Sequence, residues 1–449
     1  MQDTGPKKKL YMETYGCQMN VADSEVVVAL MEQEGYELTE RMDEASLILV
    51  NTCSIRENAE QRIWGRLDVF RQQKQKHPQT RVGVIGCMAE RLKDRLIERE
   101  KSVDLVIGPD AYRALPDLLE QVESGQKGVN TLLSREETYG DILPVRAGKN
   151  NISAFISIMR GCNNMCSYCI VPYVRGRERS RDPQTILREV RELAQSGYRE
   201  ITLIGQNVDS YHWKGSQGEA YPFAWLLDQV ARIDANLRIR FSTSHPKDLS
   251  DQVLEAMARH SNICKHIHLP VQSGSSQVLK AMNRGYTREW YQNRIDAIRS
   301  RLPGAEITTD IMTGFPSETE ADHRETLSLM EYAHYDFAYM FKYSERPGTR
   351  AARRMEDDVP EAVKKKRLQE IIELQNKRSA SSKERAVGKT YRVLVEGTSK
   401  KSDQDHHGRN SQNQVVVFPK GETHVGDFVD VYIEQATPGT LIGKQVKSQ

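Results

Sequence analysis

From Lys9 to Tyr343 the chain alternates between short apolar runs of strand type and longer runs of helical periodicity. That pattern constrains the fold more than any other feature, because alternating strands and helices settle as parallel strands covered by helices. The alternation comes in two blocks. In the first, strand candidates at 9–15, 46–52, 81–86 and 104–107 are each followed by a helical stretch, at 23–34, 57–75, 90–100 and 111–123. Residues 126–150 are polar, carry Gly, Ser and Pro, and read as a linker with room for one hairpin. The second block offers six strand candidates, at 154–159, 200–204, 237–242, 266–271, 306–313 and 337–343. Six β/α units are too few for the eight-unit barrel, so an open, partial (β/α)6 barrel is expected. A charged helix over 358–385 leads to short strands at 391–396, 415–418, 428–434 and 441–445, the pattern of a small antiparallel β-barrel of oligonucleotide-binding (OB) type.

The expected fold class is therefore α/β in three domains: 8–125 a parallel-sheet unit, 148–380 the partial barrel, and 383–446 the small barrel. The 449 residues suit three domains, and no repeat of about 20–50 residues points to a solenoid. No apolar run approaches the ~18 residues that span a bilayer, so no membrane partner is expected. The basic residues near the start are not followed by an apolar stretch, which argues against a secretory signal and for a cytoplasmic setting. Seven cysteines in that setting point to metal or catalytic roles rather than disulfides. The formal charge is only +2, yet residues 361–420 hold 14 Lys/Arg against 7 Asp/Glu, and 160–181 hold five Arg against one Glu. Such strips suit a polyanionic partner or a solvated surface.

Six of the cysteines fall into two sets. Cys162, Cys166 and Cys169 stand in RGCNNMCSYC, spaced C-x3-C-x2-C on one loop after the first barrel strand. A structural zinc site wants four ligands, and no fourth Cys or His is near. Three thiolates can instead hold three irons of a [4Fe–4S] cluster and leave one iron open. Cys17, Cys53 and Cys87 follow METYG, ILVNT and VGVIG, each just past the end of a predicted parallel strand. Such ends converge on one sheet edge, so a second cluster is expected there, with Gly16 and Gly86 allowing close approach. Cys264 reads as a buried core thiol, and His266 and His268 as neighbours on one strand face without a third metal ligand.

With Tyr168 just before its third cysteine, the central motif resembles the radical SAM superfamily. The blocks METYGCQMNVADSE, NTCSIRENAE, IGCMAER, RGCNNMCSYCIVPYVRGRERSR, HLPVQSGSSQVLKAMNRGYT and TDIMTGFPSET together resemble the methylthiotransferase family, and the last ~60 residues its TRAM domain, a small RNA-binding barrel. The resemblance implies two [4Fe–4S] clusters, S-adenosylmethionine as methyl donor and radical source, and insertion of CH3–S at C2 of N6-isopentenyladenosine beside the tRNA anticodon. It further implies an electron donor protein and no DNA partner. An aromatic C–H is out of reach of a side-chain base near neutral pH, whereas a cofactor radical can remove its hydrogen. By position, Tyr168, Gln206, Asn207, Ser242, Thr243, Gln272 and Asp310 are candidates for cofactor contact. Arg177, with Arg175, Arg179 and Arg181, could hold a carboxylate or RNA backbone, or form a solvated arm. No catalytic residue beyond the cluster ligands is assigned. Sister branches acting on a ribosomal-protein aspartate or on threonylcarbamoyl adenosine are the nearest alternatives. A non-catalytic iron–sulfur RNA-binding protein is the alternative of another class.

Overall fold

The computed structural model describes residues 8–54, 57–146 and 151–446. The expected core boundary at 148, and Ile55 and Arg56 of the NTCSIRENAE block, lie outside the described residues.

The N-terminal sheet contains β1 (Lys8–Thr14), β2 (Tyr36–Leu38), β3 (Leu47–Thr52), β4 (Arg81–Gly86), β5 (Leu105–Ile107) and β6 (Gly128–Asn130). Their order is β2-β1-β3-β4-β5-β6, with every neighbouring pair parallel. All of β3 is buried, as a central parallel strand covered on both faces must be. Two strands exceed the sequence expectation. β2 and β6 are three residues long, too short to carry a recognisable period, and β6 corrects the linker reading by extending the sheet. No hairpin occurs among the described residues of that segment.

The central unit comprises β7 (Ser153–Ser157), β8 (Met159–Arg160), β9 (Arg179–Ser180), β10 (Glu200–Ile204), β11 (His212–Lys214), β12 (Ala220–Pro222), β13 (Arg238–Phe241), β14 (His266–His268), β15 (Glu306–Thr313) and β16 (Phe337–Lys342). Two parallel three-stranded sheets, β13-β10-β7 and β14-β15-β16, form its wall. An isolated parallel bridge, Ile239 to Ile263, lies beside the junction. The result is the open six-unit barrel, around a core that draws on all six strands and includes Ile156, Leu203, Ile239, Ile267, Ile311 and Ala338. Outside it, β8 and β9 pair as a short antiparallel ribbon and β11 and β12 as a hairpin.

The C-terminal unit is a closed barrel of β17 (Thr390–Thr398), β18 (Asp405–Arg409), β19 (Val415–Pro419), β20 (Phe428–Ala436) and β21 (Leu441–Val446), in the order β17-β18-β19-β21-β20. Val393, Val395, Val416, Phe418, Val431 and Ile433 fill it. One detail departs from the wholly antiparallel expectation: β19 and β21 pair in parallel, closing the barrel in the manner of an OB-like fold. The fifth strand, β18, was not foreseen because DHHGR shows no apolar alternation. Main-chain carbonyls of this barrel carry part of its docking on the central unit, beside side-chain contacts of Ser411, Gln414 and Phe428. Arg238 donates to the carbonyls of Arg409 (2.6 Å) and Arg392 (3.1 Å), and Arg240 to that of Asn410 (2.8 Å).

Candidate active site

The strand ends of the N-terminal sheet deliver the first cysteine set. Cys17 caps the helix Gln18–Gln33, and its Sγ lies 3.3 Å from Oδ1 of Asn20, which also accepts from the Cys17 N–H. Cys53 follows β3 and Cys87 follows β4; both are buried, whereas Cys17 is exposed. Gly16 has φ +141°, and a Cβ there would stand 2.8 Å from the Cβ of Cys53. Gly86 has φ +91°, and its Cβ would stand 2.8 Å from the carbonyl oxygen of Thr52. Both glycines therefore allow an approach that a side chain would block. Burial raises the Cys87 thiol pKa; the nearby Arg175 guanidinium opposes that rise and Cys17 adds to it. Arg175 Nε donates to Cys87 Sγ at 3.2 Å.

The second set sits on the loop after β8. Cys166 is buried, and Cys162 and Cys169 are half-buried. Burial pushes the Cys162 thiol up to about 11 and the Cys169 thiol up to about 12. The loop is held from the far side of the barrel. Ser167 N–H donates to the Met282 carbonyl (2.9 Å) and Ser167 Oγ to the Ala281 carbonyl (2.8 Å). Arg284, also buried, donates to Cys166 Sγ (3.4 Å), Tyr168 Oη (3.3 Å) and the Pro270 carbonyl (2.7 Å). Tyr168 packs edge-on against Phe315, with ring centroids 6.4 Å apart.

Between the two units lies a cavity of about 510 Å³, lined by Gly16, Cys17, Cys87 and Arg175 on one side and by Gln206, Ser242, Thr243, His268, Asp310, Tyr339 and Phe341 on the other. Four of the expected cofactor contacts, Gln206, Ser242, Thr243 and Asp310, thus come together with two of the first-set cysteines. Gln206 presents a buried Oε1 with no hydrogen-bond partner among the described residues. Asn207 instead donates to Asp248 (2.7 Å). Gln272 exchanges main-chain hydrogen bonds with β15. Thr243 (φ +75°) and Gln272 (φ +72°) both hold left-handed backbone, a strained state that persists only where surroundings enforce it. Arg177 is exposed beside the cysteine loop.

A second cavity of about 500 Å³ shares Gln18, Ser242, His268 and Tyr339 with the first and runs on to Arg409 and Gln414 of the small barrel. Its wall carries Phe337, and Phe341 lines the first cavity; with Tyr339, these alternate residues of β16 are 37% to 50% exposed. Sequence reading missed this aromatic face, although the period-two FAYMF run signals it. His266 and His268 do share a face, each with a ring nitrogen 3.0 Å from Oγ1 of Thr308. Cys264 is a buried thiol.

The arginine row is corrected by the structure. Arg175, Arg179 and Arg181 are not a solvated arm; they are buried at the seam between the first two units. Arg160 and Arg175 face Asp23 at 2.7 and 2.8 Å, Arg179 faces Asp110 at 2.8 Å, and Arg181 faces Glu189 at 2.5 Å. Burial alone would raise the Asp23 carboxyl, but Arg160 and Arg175 outweigh it and hold the group below its ordinary range. Neither Asp23 nor Asp110 was singled out from the sequence, because ion pairs 69 or more positions apart leave no local pattern.

Among the described residues, no three His, Cys, Asp or Glu side chains converge tightly enough for a single metal ion. A four-iron cluster asks for something else: separate thiolates, each able to hold its own iron, of which three suffice to leave one iron open. The donor sets fit that demand, with three thiols on one loop, three at one sheet edge, and an arginine donor beside a sulfur of each set. A coordinating metal also deprotonates thiols that burial would keep neutral.

Three family models match the chain: Uncharacterized protein family UPF0004 over residues 9–108, the Radical SAM superfamily over 156–330, and the TRAM domain over 384–446. A tRNA-2-methylthio-N(6)-dimethylallyladenosine synthase of Bacteroides fragilis is 58% identical over 441 residues, covering 98% of this chain and 96% of its own. The proteins of the same description from Amoebophilus asiaticus (57% identical; 97% and 92% covered) and Flavobacterium psychrophilum (53%; 98% and 94%) are similar over the same extent. Among solved structures, the radical S-adenosylmethionine methyltransferase TsrM from Kitasatospora setae aligns with a TM-score of 0.59 at 13% identity, covering 77% of each chain. The cobalamin-dependent radical enzyme OxsB aligns at 0.51 and 14%, covering 83% of this chain and 56% of its own. These two likenesses concern the fold.

Proposed function

The chain belongs to the family of tRNA-2-methylthio-N(6)-dimethylallyladenosine synthases, and from that premise we infer that it inserts a methylthio group at C2 of N6-isopentenyladenosine in tRNA. As a radical SAM enzyme it uses S-adenosylmethionine and a [4Fe–4S] cluster. Its second cluster, the anticodon-loop position of the target base, an electron donor protein and a cytoplasmic setting are part of our proposal. So is the division into domains at 8–125, 148–380 and 383–446. Among the described residues no helix is long and apolar enough to cross a membrane.

In this reading Cys162, Cys166 and Cys169 hold the radical-generating cluster, and Cys17, Cys53 and Cys87 hold an auxiliary one. When bound, these groups and S-adenosylmethionine supply a radical that can take hydrogen from an aromatic carbon and a sulfur that can be methylated and transferred. The chain supplies position. Gln206, Ser242, Thr243 and Asp310 line the chamber where the cofactor and the base meet, and Gln206 has an acceptor to offer. Asn207 and Gln272 shape the strand ends around it, and Tyr168, in the cysteine loop, is held beside Cys166 by Arg284. Arg177, exposed beside the cysteine loop, is placed for a carboxylate or a phosphate. The aromatic face of β16 offers a stacking platform for an unstacked adenine and its isoprenoid substituent. The C-terminal barrel, together with the basic helix Glu361–Glu384 that leads to it, grips RNA backbone, which positions without reading sequence.

The observation that carries this reading is the shared chamber: Cys17 and Cys87 open onto the strand ends of the partial barrel. Mass spectrometry of tRNA nucleosides from cells lacking and regaining the protein tests it. The 2-methylthio nucleoside should vanish and return, with N6-isopentenyladenosine accumulating in between. Unchanged nucleosides would refute it.

A further inference from the structure

Arg175 ends the short helix Val171–Arg175, which starts two residues after Cys169. One side chain thus reaches from the loop of one cysteine set to a sulfur of the other, with Nε 3.2 Å from Cys87 Sγ. Its Nη1 stands 2.8 Å from Asp23, on the helix that Cys17 caps. Apart from that ion pair, neither terminal nitrogen has a hydrogen-bond partner among the described residues, although the residue is only 3% exposed and lines the cavity. The seam does not need this contact to hold together. Asp23 already has Arg160 at 2.7 Å, and Asp110 has Arg179. A guanidinium aimed at a thiol with donors to spare is therefore placed for the sulfur.

We propose that Arg175 is a positioning residue for the auxiliary cluster, its Nε–H donating to the Cys87 sulfur so that the cluster accepts an electron more readily than it would beside a neutral residue. The inference rests on the reading that Cys17, Cys53 and Cys87 hold a [4Fe–4S] cluster. Its physical basis is direct. Hydrogen bonds to cluster sulfurs and nearby net charge set the reduction potential. A positive charge stabilises the more negative, reduced state, and does so more strongly when both are shielded from water. The carboxylate of Asp23 tempers the effect and fixes the plane of the fork, which points Nε at the sulfur.

The full chain carrying Cys162, Cys166 and Cys169→Ala isolates the auxiliary cluster for a redox titration followed by electron paramagnetic resonance. At a fixed poise Arg175→Gln should lower the ratio of reduced to oxidised cluster at least tenfold, which for one electron is about 59 mV. Arg175→Lys, which keeps the charge and loses the fork, should fall between. An unchanged ratio in both variants, with iron content intact, would overturn the proposal, because a merely structural arginine would change stability and leave the potential alone. Should Arg175→Gln lose its cluster, arginine labelled with 15N at Nε in the chain with Arg175 intact gives the answer by pulsed resonance. A weak nitrogen coupling to the reduced cluster supports the proposal and its absence refutes it. If the triple-alanine background holds no iron at all, the fault lies with the assignment of the first cysteine set.

Discussion

Arg160 and Asp23 are 137 positions apart in the chain and 2.7 Å apart in the fold, Nη1 to Oδ1, with both side chains almost wholly enclosed. This pair pins the helix after Cys17 to the ribbon strand before Cys162, so the spacing of the two cysteine sets depends on it.

Replacing Arg160 with Ala leaves Asp23 partly uncompensated in a buried setting. The expected loss is about 3–5 kcal/mol of stability. Denaturant unfolding of the apoprotein measures it; a loss below about 1 kcal/mol would show that Arg175 alone suffices.

Reconstituted protein should carry about eight irons, as two four-iron clusters. Changing Cys162, Cys166 and Cys169 to Ala should halve the count and abolish cleavage of S-adenosylmethionine. Changing Cys17, Cys53 and Cys87 to Ala should also halve it, yet retain part of the cleavage while eliminating the methylthio product. Full product from that second variant would make the first set structural only.

Tyr339 sits at the meeting of both cavities, its ring 5.0 Å from Phe337 and 5.9 Å from His268. Tyr339→Ala should weaken binding of an isopentenylated anticodon stem-loop by about 1–3 kcal/mol, the usual worth of one stacked base. Equal affinities for variant and unaltered protein would remove β16 from the substrate site.

Lys389, Lys400 and Lys401 are exposed on the C-terminal barrel. Their joint replacement by Gln should weaken tRNA binding and flatten its salt dependence, with the slope of log K against log salt falling by about 0.7–0.9 per lost phosphate contact. Parallel salt curves would mean that these lysines do not meet the backbone.

Asp209 has both carboxylate oxygens enclosed, near the Ser244 hydroxyl and the His245 main chain. Burial, with the neighbouring charge of Asp248, pushes its pKa from an ordinary 3.8 up to about 7. Between those values the folded state holds a proton that the unfolded state has released, so this group's contribution to stability declines as pH rises through that window. Asn cannot titrate. The stability of Asp209→Asn relative to the unaltered apoprotein should therefore improve steadily from about pH 4 to pH 7, followed by denaturant midpoints across that range. A difference independent of pH would show that the carboxyl is not raised.

The placement of the six cysteines was readable from their spacing: a tight loop for one set, three strand ends for the other. The β/α alternation likewise revealed the N-terminal parallel sheet and the parallel wall of the barrel, since apolar strands such as β3 leave no other reading. What escaped was short or distant. β2 and β6 have only three residues each, and the polar run of β18 owes its place to neighbours rather than to its own pattern. The arginines showed the limit most clearly. RGRERSR reads as a surface strip until Asp110, 69 positions away, and Glu189, on the following helix, turn Arg179 and Arg181 inward. Arg284 was similarly silent, since nothing in MNRGY announces a donor to Cys166.

Arg238 and Arg240 hold the small barrel by the carbonyl oxygens of residues 392, 409 and 410. A grip on the main chain is blind to which side chains the gripped residues carry. The outer surface of that barrel can therefore drift, gaining or shedding charged groups, while this part of the attachment persists. A foreign barrel grafted onto this enzyme would keep that main-chain grip and would have to replace only the side-chain contacts of Ser411, Gln412, Gln414 and Phe428 with the central unit.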